Sequence, residues 1–225
     1  GKAYQVKMFE IPEGKRATKG KSIMNFIALA EGEKVTSVLP MPKDKKQADG
    51  LSLVMITKHG VGKKVAAKSF HDVRRSGLIS IGLDAGDELI FASFVSKGED
   101  VVIVTKEGQS IRFKETDVRE MGRAAGGVRL IRLDSGDVVI SADVVKKDAA
   151  NQCLFIMSAN GYGKKTPLDE YKIQKRGGSG ILTSKVTTKT GPVMAAKVVS
   201  DEEEEVVAMS KKSQVIRVDL AEIPA

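Results

Sequence analysis

Tryptophan is missing from this 225-residue chain, and aromatic side chains make up only 4% of it. Proteins that grip single-stranded nucleic acid usually offer aromatic stacking platforms, so that mode is disfavoured. One cysteine, Cys153, excludes an internal disulfide framework and suits a reducing cytoplasm. It lies in the apolar run 153–157 and reads as a buried strand residue. The two histidines, His59 and His71, have no Cys, Asp or Glu at metal-ligand spacing, which argues against a zinc site. No apolar run approaches the ~20 residues that span a bilayer, and no signal peptide is visible. Paired carboxylates, a nucleophile elbow and a Ser-His-Asp order are all missing, so no catalytic residue is assigned. Helical periodicity is also lacking over any window of about a dozen residues.

What is present is charge and strand. Thirty-seven Lys and Arg against 29 Asp and Glu leave a formal charge of +8, which favours a polyanionic partner. Val101 to Thr105, a turn at Gly108, then Gln109 to Phe113 read as a β-hairpin. The same pattern surrounds Gly60 and Asn160-Gly161, and it begins again at Val206 to Met209. A second β-rich run follows each loop (Leu78 to Ile81, Val128 to Ile131). A Gly-acidic turn comes next (Gly32-Glu33, Gly86-Asp87, Gly136-Asp137), and Glu88 to Phe94 and Val138 to Val144 supply the last strand.

The hairpins belong to a repeat. From Gly60, Lys64 lies four residues on, Phe70 ten on and Arg75 fifteen on. From Gly108 the same offsets give Arg112, Val118 and Arg123, and from Gly161 they give Lys165, Tyr171 and Arg176. Ser213 starts a unit with Arg217 and Ile223, and the head fits more loosely through Gly1, Ile11 and Arg16. Four-stranded units recurring every 48 to 59 residues predict an all-β, propeller-like fold. The units run approximately 1–50, 51–98, 99–150, 151–200 and, in part, 201–225 of a single domain. Starting without Met and ending inside a unit, the chain reads as an excerpt of a longer protein, with about five blades present wholly or in part.

Gly14 to Ser22 imitates a phosphate-binding P-loop, but five residues separate its glycines where four are required. Ile23 to Ile27 after it reads as strand rather than helix, so the segment is expected to be a surface loop. The recurrent cations are the better candidates. Equivalent residues occupy equivalent places on successive blades, so the cations should form a band matching the phosphates of a bent duplex. The candidate DNA-binding residues are Arg16, Lys19, Lys63, Lys64, Arg74, Arg75, Arg112, Arg119, Arg123, Lys164, Lys165, Lys175, Arg176 and Arg217. The repeat residues Phe70, Val118, Tyr171 and Ile223 are assigned to the core.

The heptapeptide Gln174-Lys175-Arg176-Gly177-Gly178-Ser179-Gly180 resembles the gyrase box, a Gln-Arg-Arg-Gly-Gly-Lys-Gly type motif of the bacterial gyrase A family. Asn160 to Thr166, Glu115 to Arg123 and Phe9 to Glu13 are also similar to that family, so the resemblance covers essentially the whole chain. It implies the C-terminal domain, a β-pinwheel of six blades when intact that wraps duplex DNA right-handedly without sequence specificity and supports ATP-dependent negative supercoiling. It further implies that ATP and Mg²⁺ act elsewhere, so that this domain holds no cofactor. The implied partners are duplex DNA, the rest of gyrase A and, in an A2B2 holoenzyme, gyrase B, in the bacterial cytoplasm. Ser179 departs from the box, standing where the motif carries its Lys and leaving one fewer cation on the loop. The related protein of topoisomerase IV, with degraded boxes, is the near alternative; a propeller acting as a protein scaffold is the distant one.

Overall fold

β-Branched residues flank a glycine turn in the second to fourth units, and these segments fold as antiparallel hairpins in the computed structural model, as does a further pair of strands near the C-terminal end. The structure describes residues 1–15, 18–42, 48–73, 76–200, 203, 205–210, 212 and 214–224. The first unit supplies β1 (Lys2–Ala3). The second carries β2 (Leu51–Thr57), β3 (Val61–Ala66), β4 (Leu78–Ile79) and β5 (Leu89–Ser96). The third carries β6 (Asp100–Thr105), β7 (Gln109–Lys114), β8 (Val128–Arg129) and β9 (Val139–Val145). The fourth carries β10 (Cys153–Ser158), β11 (Gly163–Pro167), β12 (Ile181–Leu182) and β13 (Val193–Val199). A hairpin of β14 (Glu205–Met209) and β15 (Val215–Asp219) follows.

The pairing corrects the expected blade in one respect. The third run of each unit joins the sheet of the unit before it, not its own. The two four-stranded sheets have the orders β5-β2-β3-β8 and β9-β6-β7-β12, and β4 pairs with β1. Each blade therefore borrows its outer strand from its successor. The glycine at the repeat origin makes room for the loan. The Gly108 carbonyl accepts the Thr183 amide at 2.8 Å, and a Cβ on Gly108 would collide with the Ser184 carbonyl oxygen. Gly60 accepts Leu130 in the same way, at 2.8 Å.

At the opposite edge of the blades, β5 lies against β9 and β9 against β13. The inner strands thus converge, while the borrowed strands and the loops that carry them lie on the outside. Apolar side chains weld adjacent blades. Val54, Ile56 and Val95 pack with Val101, Ile103 and Val144, and Val102 and Val104 pack with Leu154 and Ile156. The repeat residues Phe70, Val118, Tyr171 and Ile223 are all buried, as expected. Each follows or closes a short 3-10 turn: Ala67–Phe70, Glu115–Asp117, Leu168–Glu170 and Leu220–Glu222.

The acidic turns brace the hairpins. Asp87 Oδ1 accepts the His59 amide at 3.0 Å, and Asp137 Oδ1 accepts the Glu107 amide at 3.0 Å. Two local expectations differ. Ile23–Asn25 is a 3-10 turn capped by the Ser22 hydroxyl, not the start of a strand. That hydroxyl satisfies the Met24 amide locally, which favours a turn over a ladder. Cys153 lies on β10 as expected, but half-buried.

Candidate nucleic-acid interface

A lysine or arginine four residues past the turn glycine sits on β3, β7 and β11, and Arg217 holds the same place on β15. From there three of the four reach the 3-10 turn of the following unit. The Lys64 ammonium contacts the Glu115 carboxylate and, at 3.2 Å, its carbonyl. Arg112 donates from Nη1 to the Leu168 carbonyl at 2.8 Å, while Nε and Nη2 engage Asp100 Oδ2 at 2.9 and 2.8 Å. Lys165 Nζ donates to the Leu220 carbonyl at 2.7 Å. Arg217 pairs within its own hairpin with Glu205. Lys64, Arg112 and Lys165 thus tie each blade to the next, whereas Arg217 is exposed and paired within its own hairpin. The expected anion-binding band would draw on these same side chains, whose partners in the structure lie within the protein.

Lys63 has a comparable internal role. Its side chain is 0% exposed, and its ammonium donates to the carbonyls of Gly122 and Ala125 at 2.9 and 2.7 Å and to that of Arg123. Burial pushes its pKa below the ordinary lysine value. Its three acceptors all lie in loop 121–127, so Lys63 fixes that loop from beneath.

Loop 121–127 and loop 174–180 occupy equivalent places. The Met121 amide donates to Lys64 O and the Gln174 amide to Arg112 O, each at 2.8 Å. Each loop leads into a borrowed strand on the outer edge. The box-like loop is held by its own arginine: Arg176 donates from Nε to the Asp117 carbonyl at 2.8 Å and from Nη1 to the Arg129 carbonyl at 3.0 Å. Gly177 N–H completes the attachment to Leu130 O at 2.6 Å. At Gly180, φ is +78°, and a Cβ would collide with the Ser110 carbonyl oxygen. Glycine there lets the chain cross β7 closely enough to donate β12.

The remaining candidates divide by exposure. Lys19, Arg119 and Lys175 are exposed, while Lys164 and Arg123 are half-buried. Arg16, Arg74 and Arg75 lie outside the described residues. Beside the box-like loop stand two exposed arginines that the repeat offsets do not mark, Arg129 and Arg132. Arg132 donates from Nε and Nη2 to Ser179 Oγ at 3.1 and 2.7 Å. A sequence signal for it existed: Arg132 and Lys185 both lie 24 residues past their turn glycine.

Blades joined by strand exchange, with inner edges converging and Gly-rich basic loops outside, define a β-propeller-like pinwheel. The chain belongs to the DNA gyrase C-terminal domain, beta-propeller family, whose profile matches residues 1–40, 52–96, 99–146, 154–200 and 204–225. It is 37% identical over 223 residues to the DNA gyrase A protein of Lawsonia intracellularis (strain PHE/MN1-00), covering 99% of this chain and 27% of that protein. The same identity over the same length holds for the DNA gyrase A protein of Staphylococcus aureus (strain NCTC 8325 / PS 47), with 99% and 25% covered. The chain thus spans about a quarter of the length of these relatives. A solved DNA gyrase A C-terminal domain superimposes with a TM-score of 0.81 at 28% identity, covering 98% of this chain and 70% of that one. The C-terminal domain of DNA topoisomerase IV shares the fold, with a TM-score of 0.81 at 21% identity over 91% of this chain and 62% of that one.

Proposed function

We propose that this domain binds duplex DNA through its phosphates, without sequence specificity, and bends it around the outer edge of the blades. It would serve as the wrapping element of a gyrase, presenting DNA for ATP-dependent negative supercoiling by the remainder of gyrase A with gyrase B in the cytoplasm. No nucleotide or metal is assigned to the domain itself. The observation carrying this reading is the box-like loop 174–180 on an outer edge, with Lys175, Arg129 and Arg132 exposed around it.

Bending a short site by 40–90° costs on the order of 1–6 kcal/mol, so several phosphate contacts must offset it. Lys19, Arg119, Arg129, Arg132 and Lys175 are the exposed cations named above. One phosphate for each gives a log-log dependence of affinity on salt of about −4 to −5. That is shallower than if the inter-blade cations also faced DNA.

Nicked plasmid closed by ligase in the presence of increasing amounts of the whole gyrase A protein tests the reading. A progressive shift in linking number is expected. Tight, salt-dependent binding with no shift would remove wrapping and leave a substrate-choice role of the topoisomerase IV kind. That second reading draws on the equal superposition of the two solved domains.

A further inference from the structure

We infer that Arg132 and the box-like loop of the next unit form one composite phosphate subsite, in which Arg132 supplies a cation that the loop's own sequence lacks at Ser179. The inference rests on the duplex-binding reading above. Within loop 174–180 the two cations have different fates. The Arg176 guanidinium is occupied by the Asp117 and Arg129 carbonyls, whereas Lys175 is exposed. By itself the loop would offer one free charge.

Arg132 comes from the preceding unit and is fixed to this loop at two points. Its amide donates to the Gly178 carbonyl at 2.8 Å, and its guanidinium is seated on Ser179 Oγ through Nε and Nη2. Arg132 and Ser179 are both exposed, and Nη1 of Arg132 has no hydrogen-bond partner among the described residues. A serine hydroxyl that accepts two N–H groups still has its own hydrogen to donate. The Ser179 hydroxyl, Arg132 Nη1 and the Lys175 ammonium therefore supply one neutral and two charged donors along the loop. Phosphate oxygens suit that set, since charge-assisted bonds to a planar guanidinium are among the strongest. Prior fixation of the arginine lowers the entropy lost on binding.

The equivalent loop is built differently. Its counterpart of Arg132 is Gly82, whose amide donates to the Ala125 carbonyl at 3.2 Å, and the counterpart of Ser179 is Gly126. The composite site belongs to loop 174–180 and not to loop 121–127.

The test measures binding of the whole gyrase A protein to a duplex of random sequence across a salt series. It compares the parent protein with Arg132→Ala, Arg132→Gln, Lys175→Ala, Ser179→Ala and the double variant Arg132→Ala/Ser179→Lys. Loss of one phosphate contact should flatten the slope by about one in both Arg132 variants. Affinity should fall about tenfold. Ser179→Ala should keep the slope, because the charge remains, and weaken binding by only a few-fold. The double variant should recover the parent slope. A slope unchanged in Arg132→Gln but flattened in Lys175→Ala would overturn the composite site while leaving the duplex-binding reading intact. If the parent itself shows no salt-dependent duplex binding, the reading fails and the subsite with it.

Discussion

The guanidinium of Arg112 donates to the backbone carbonyl of Leu168, 2.8 Å away, and so ties β7 to the 3-10 turn of the following unit. The same side chain grips Asp100 on the neighbouring strand, with only 16% of the arginine and 11% of the aspartate side chain exposed. A cation shared between a carboxylate and a carbonyl of the next unit holds the boundary between blades at one distance and angle. Lys64 with Glu115, and Lys165 with the Leu220 carbonyl, repeat the device at the neighbouring boundaries.

Arg112→Ala is therefore expected to cost folding stability rather than DNA affinity. Removing one partner of a largely buried ion pair strands the other, here Asp100, and leaves the Leu168 carbonyl without its donor. A loss of about 2–4 kcal/mol follows, read as a lower urea midpoint. Under conditions where the variant is folded, its salt slope for duplex binding should match the parent. A slope reduced by one would return Arg112 to the DNA-facing set. Arg112→Lys should recover little stability, since an ammonium does not reproduce the fork that spans Asp100 and Leu168.

Lys63→Met separates loop fixation from binding in the same way. The substitution removes the donor shared by the carbonyls of Gly122, Arg123 and Ala125, while keeping the volume of a side chain that is fully buried. Because those acceptors lie in an outer loop that water can reach, the cost is about 1–3 kcal/mol rather than a full buried-polar penalty for each. Hydrogen exchange should locate the change. The Met121 and Ala125 amides, bonded to the Lys64 and Gly122 carbonyls, should exchange faster while β6 remains protected. Uniform acceleration across the core would indicate global destabilisation instead.

Much of this architecture is legible from the chain. Segments such as Val101 to Thr105 and Val138 to Val144 predict strands that fall within a residue of β6 and β9, because apolar runs and turn glycines are local signals. The partner of Val128–Arg129 is not local. Only the three-dimensional course reveals that it pairs with Val61 and Gly62 of the unit before. The offset-four cations show a deeper limit. Recurrence marks a role common to every unit, but a carbonyl in the adjacent blade and a phosphate on DNA both recruit the same residue types. Arg176, in the box-like loop, is directed to two backbone carbonyls, whereas the neighbouring Lys175 is exposed. Spacing could not separate them.

Two glycines with nearly the same φ should respond differently to alanine. Gly108 has φ +85° and Gly136 has φ +84°, so each substitution carries a left-handed strain of about 1 kcal/mol. Around Gly136 a Cβ meets nothing within 4 Å, and the cost should end there. At Gly108 the Cβ would meet the Ser184 carbonyl oxygen, next to the residue whose amide closes on Gly108 O. Docking of β12 must then give way, and a total loss above about 3 kcal/mol is expected. Thermal unfolding of the two variants in parallel checks this. Equal melting temperatures would mean that the borrowed strand tolerates displacement.

Acid should loosen the first unit through Glu33. Its carboxylate is held at a pKa of about 2, against an ordinary 4.5, first by the Ala30 amide, then by the Tyr4 hydroxyl and the Lys2 ammonium. The bonds from Ala30 and Tyr4 to Oε2 are 2.8 and 2.7 Å, and Lys2 lies 3.1 Å from Oε1. Between pH 4.5 and about 2 the folded state binds fewer protons than the unfolded chain at this site. Its stabilisation is therefore complete above 4.5 and fades as pH falls through that window. With 29% of the side chain exposed, solvent screens the contribution to about 1 kcal/mol. Glu33→Gln should lower the urea midpoint at pH 7, and the gap from the parent should close as pH approaches 2. A gap that persists unchanged to pH 2 would assign the loss to packing of the amide, not to the charge.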